Sequence, residues 1–89
     1  MHIHKMPPAD RVATLPSKTG EAVLMVYHRP ALGLVSAYLF TEKSDGKHLP
    51  LVEVGKTEGQ ALTKLATHTD AKPWRPQLLK GATEDLLAG

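Results

Sequence analysis

The chain has 89 residues, with 11 Lys and Arg against 9 Asp and Glu, and no cysteine. That length admits one domain with one core, burying about two-thirds of the surface of the extended chain. The absence of thiols excludes disulfides, thiolate metal centres and a cysteine nucleophile. The longest apolar runs, such as Ala22 to Tyr27, are too short to span a bilayer. The amino terminus also lacks the apolar stretch of a signal peptide, and a cytoplasmic location is the expectation. The positive excess concentrates in residues 43–80, with seven basic and four acidic side chains. A dedicated nucleic-acid binder usually carries a denser cationic stripe.

In chain order, residues 1–20 contain Pro7, Pro8, Pro16 and Gly20 and read as a mostly irregular amino-terminal arm, with a short element at most around Arg11 to Leu15. Residues 21–89 read as one small α+β domain. Its first strand covers about 21–29, rich in β-branched and aromatic residues. A connection containing Pro30 and Gly33 leads to a second strand over about 34–42. Asp45-Gly46 between apolar runs signals a tight hairpin, and a third strand covers about 48–54. Pro50 cannot donate to a ladder, which places that strand at an edge of the antiparallel meander. Past Gly55 the period changes. Thr57 with Gln60 forms a capping box, and Ala61, Leu62, Leu65 and Ala66 make a helical stripe over about 57–69. The Lys72-Pro73-Trp74-Arg75-Pro76 tail should be extended, followed by a short helix over about 76–87 carrying Leu78, Leu79, Ala82 and Leu86.

Pairing follows from the turns. A two-residue turn at Asp45-Gly46 sets Tyr38 opposite Glu53, and a turn over 29–33 sets His28 opposite Leu34. Alternation then sorts the sheet. One face receives Val23, Met25, Tyr27, Val35, Ala37, Leu39, Val52 and Val54, and is expected beneath the helix. The other receives Leu24, Val26, His28, Leu34, Ser36, Tyr38, Phe40, Leu51 and Glu53. Both faces are apolar, whereas a wetted antiparallel face normally alternates cleanly. Only one strong helix is available to cover them.

Chemistry-bearing residues are sparse. His2 and His4 at an exposed terminus supply too few ligands for a metal. His28 and Ser36 lie near each other without an orienting acid or an oxyanion site. Gly55-Lys56-Thr57 lacks the leading glycine of a phosphate-binding loop. No catalytic, cofactor or metal residue is assigned, and the chain reads as a non-enzymatic binding module.

Two binding modes follow. The first is a protein interface, with a partner or a second copy as a homodimer, through Leu24, Val26, His28, Ser36, Tyr38, Phe40, Leu51 and Glu53. The alternative is nucleic acid, held by Lys43, Lys47, His48, Lys56, Lys64, Lys72 and Arg75, with Trp74 stacking a base.

Overall fold

The computed structural model describes residues 8–41 and 49–88, with side chains as far as Glu84. Four strands form an antiparallel sheet in chain order: β1 (Arg11–Ser17), β2 (Gly20–Arg29), β3 (Leu34–Phe40) and β4 (Leu51–Gly55). Two helices follow, α1 (Glu58–Ala66) and α2 (Arg75–Ala88), joined through a 3₁₀ turn at Thr69–Trp74. The α+β class and the late helices agree with the sequence. β4 lies at an edge, where Pro50 requires it. Among the described residues, no helix is long and apolar enough to cross a membrane.

β1 corrects the expectation of a mostly irregular arm over 1–20. Ala13 and Leu15 alternate with Val12 and Thr14, and the strand pairs with β2 from Arg11↔Val26 to Ser17↔Gly20. Pro16 is tolerated because β1 is the other edge of the sheet. Ser17 holds the intervening turn: its Oγ donates to the Gly20 carbonyl at 2.8 Å and accepts the Thr19 amide at 3.1 Å. The extended tail expected over 72–76 is also corrected. Pro73 sits inside the 3₁₀ turn, and Pro76 stands in the first turn of α2, where a missing N–H costs nothing.

The connection from β2 to β3 fixes the register. Pro30–Leu32 make one 3₁₀ turn, and Gly33 closes it at φ 65° and ψ 31°, with its amide donating to the Pro30 carbonyl at 3.1 Å. A side chain at Gly33 would be strained in this left-handed conformation. The closing pair is therefore Arg29↔Leu34, and His28 faces Val35 rather than Leu34. Between β3 and β4, Tyr38 faces Val52 rather than Glu53. Both registers differ by one residue from those read off the turns. One residue is enough to exchange the faces of β2 and β4 relative to β3. The Asp45-Gly46 turn itself lies outside the described residues.

With this register, Ala22, Leu24, Val26, Val35, Ala37 and Leu39 share one face and are buried. Against them lie Ala61, Leu62, Leu65 and Ala66 of α1, Ala71 and Trp74 of the 3₁₀ turn, and Leu78 and Ala82 of α2. Both helices cover this same face. Small alanines let them approach the sheet closely, while Leu62, Leu65 and Leu78 fill the layer between.

Polar contacts close the margins of this layer. Thr57 caps α1 by accepting the Gln60 amide at 3.1 Å, and the Gln60 Oε1 accepts the Lys56 amide at 2.9 Å. Glu58, buried in the first turn of α1, binds the Arg11 guanidinium and lies 3.7 Å from His28 Nε2, which ties α1 to β1 and β2. Arg75 reaches back to the end of α1, its Nε donating to the Ala66 carbonyl at 2.6 Å. Gln77 Nε2 donates to the Pro16 carbonyl at 2.6 Å and moors α2 to β1.

At the junction of β4 and α1 the backbone turns against itself. A Cβ on Gly55 would stand 2.7 Å from Gln60 Cβ and 2.8 Å from the Ala61 nitrogen. Gly55→Ala should therefore cost about 1–3 kcal/mol through overpacking, read as a lower urea midpoint with an unchanged slope. A variant as stable as the parent would contradict the close approach.

Candidate binding face

The opposite side of the sheet has a different composition. Register and alternation place Val12 and Thr14 of β1, Glu21, Val23, Met25, Tyr27 and Arg29 of β2, Leu34, Ser36, Tyr38 and Phe40 of β3, and Val52 and Val54 of β4 on it. Neither helix lies over this side, and among the described residues no other element covers it. Val12 is 58% exposed and Val52 42%, whereas Ala13, Leu15, Leu51 and Glu53, on the helix side of the same strands, are half-buried.

Its centre is aromatic. Tyr27 and Tyr38 meet edge to face with ring centroids 5.5 Å apart, and Tyr38 stacks on Phe40 at 6.4 Å with 18° between the rings. Both spacings lie within the range of favourable aromatic pairs. Arg29 sits 5.6 Å from the centre of the Tyr27 ring, a cation–π contact that keeps its guanidinium at the surface. Tyr27 is almost wholly buried, so it supports the patch more than it presents surface. Glu21 and Arg29, at opposite ends of β2, are the charged groups of this face among the described residues.

Of the interface residues expected from the sequence, Ser36, Tyr38 and Phe40 are on the open face. The slipped register moves the others. Leu24 and Val26 are core residues at 2% and 0% exposure, and Leu51 packs against the same core. Glu53 is on the helix side, where its Oε2 lies 2.6 Å from His68 Nε2. His28 also faces the helix side, beside Glu58, and its amide donates to Asp10 Oδ2 at 2.6 Å. Val23, Met25, Tyr27, Val52 and Val54, assigned from sequence to the helix side, take their places. The pairing of Tyr38 with Met25 and of Phe40 with Val23 carries the signal that turn counting missed: cross-strand neighbours gather the aromatic rings, while the aliphatic residues match the alanine-rich helices.

The nucleic-acid set is not gathered in the same way. Lys43, Lys47 and His48 lie outside the described residues. Lys64 Nζ donates to the Val54 carbonyl at 2.9 Å, and the Arg75 guanidinium is held by the end of α1. Lys56 and Lys72 are exposed, but Trp74 is 5% exposed and its ring belongs to the core, so it is not available to stack a base. Trp74 also lines a hollow of about 400 Å³ with Thr19, Thr41, Thr69, Asp70, Lys72 and Pro73. Its indole N–H is sealed from solvent without a hydrogen-bond partner.

Leu39 and Phe40 are adjacent in sequence and point to opposite faces, which permits a direct test. Leu39→Lys places an ammonium in a fully buried site and should abolish cooperative unfolding. Phe40→Lys should keep a cooperative transition and lose no more than about 1 kcal/mol; urea titration followed by circular dichroism distinguishes the two, and equal losses would refute the assignment of faces. No family model matches the chain, and comparison with curated proteins and with solved structures finds no match either.

Proposed function

We propose that this chain is a non-enzymatic binding module that docks its open sheet face on a protein surface. The observation that carries this reading is the contiguous patch of Val23, Met25, Tyr38, Phe40, Val52 and Val54 on a face that no described element covers. Patches of this kind mark interaction sites on soluble domains. Tyr, Phe and Met are enriched at the centres of interfaces, because each removes a large rigid or adaptable surface from water at low entropic cost. Arg29 and Glu21 at the margins supply a polar rim. A cytoplasmic setting fits the cysteine-free composition.

The rival reading, nucleic acid at the exposed lysines, rests on charges of the helix layer such as Lys56 and Lys72. It lacks an accessible stacking residue on that side, since Trp74 is buried.

The two readings predict opposite sides of the molecule. A photoreactive benzoylphenylalanine at position 40 should give a discrete protein adduct on irradiation, and the same group at Leu79, exposed on α2, should give none. Equal capture from both positions, or capture from Leu79 alone, would sink the sheet-face reading. Binding of labelled duplex or single-stranded DNA at low salt, undiminished by Phe40→Lys, would move the function to the lysines.

A further inference from the structure

Resting on the docking reading above, we propose that the partner is a second copy of this chain, stacked face to face about a two-fold axis that runs along the row Val12, Met25, Tyr38 and Val52. These four residues are neighbours across the four strands: Val12↔Met25, Met25↔Tyr38 and Tyr38↔Val52 are register pairs. An axis along that row lays each of them over its own copy, and exchanges every residue above the row with the one an equal distance below it.

The face is complementary to itself under that exchange. Glu21 and Arg29 stand four positions on either side of Met25 on β2, about 26 Å apart at the usual rise of a strand. The axis places Glu21 of one copy over Arg29 of the other, twice. On β3, Phe40 comes over Ser36, a large side chain against a small one. Interdigitation of large with small is how two sheet faces fill the roughly 10 Å between them. Stacking the strands parallel instead would set Arg29 over Arg29 and Glu21 over Glu21, which like charges oppose. Aligned sheets pack about 30° off parallel, and the reach of the Glu and Arg side chains spans the offset this introduces at the ends of β2.

The area is consistent with a specific but modest association. Four strands at their usual spacing and rise offer a face that buries about 1,000 Å² in total between two copies, the lower limit for a specific interface. Interfaces at this lower limit are weak or transient, which puts dimerisation at micromolar concentrations or above.

Sedimentation equilibrium on the intact chain tests the arrangement. The wild type should dimerise in that range, and Tyr38→Glu, which puts a charge on the axis against its own copy, should leave a folded monomer. Glu21→Arg and Arg29→Glu should each weaken the dimer about tenfold, and an equimolar mixture of the two should recover it as a heterodimer. Single reversals without effect would overturn the antiparallel axis. A wild type that remains monomeric at millimolar concentration would overturn the second copy as partner. In that case, binding of an apolar fluorescent dye that Tyr38→Glu abolishes would leave the docking face standing, whereas no dye binding by the wild type would remove both.

Discussion

The pairing of β2 with β3 is the constraint on which the molecule turns. Four connecting residues, Pro30 to Gly33, close on Arg29↔Leu34, and from that closure every side chain of the two central strands is assigned to a side. Leu24, Val26, Val35, Ala37 and Leu39 go inward together, and Met25, Tyr27, Tyr38 and Phe40 go outward together. The inward set is aliphatic and of even depth, which suits helices that approach on alanines. The outward set is aromatic and uneven, with a charged residue at each end of β2. Shifting the pairing by one position mixes the two sets and leaves neither surface well matched.

The helix layer is held by contacts at its borders as well as by its apolar interior. Glu58 joins the start of α1 to Arg11 and His28 at one end of the sheet, and Arg75 joins the start of α2 to the finish of α1. Gln77 holds α2 to the carbonyl of Pro16 on the edge strand. Contacts as open to solvent as those of Arg11 and Gln77 are worth about 1 kcal/mol or less each. Their larger effect is to commit both helices to one side of the sheet. That commitment leaves the aromatic side without a covering element among the described residues.

Much of this architecture is legible in the residues. The change of period after Gly55, the Thr57–Gln60 capping box and the edge position implied by Pro50 all correspond to observed elements. Pro16 conceals β1, because proline reads as a breaker unless the strand is known to be an edge. The faces are less legible for a sharper reason. A turn that begins at Arg29 and one that begins at Pro30 differ by one residue in length, and sequence leaves that single residue undetermined while it reverses the orientation of a whole strand. An apolar surface left over after folding is foreseeable from composition; its membership, with Leu24 and Leu51 exchanged for Met25 and Val52, is not.

Pro16 on one border strand and Pro50 beside the other have a consequence for growth. Proline withholds an amide from any strand that would add laterally, so the sheet is discouraged from lengthening sideways into a ribbon. The reverse of the molecule is clad in α1 and α2, whose outward residues include Gln60, Lys64, Lys80 and Glu84, all exposed. The sheet is thus guarded along its borders and backed by charged helices, and its aromatic side is the broad apolar surface among the described strands.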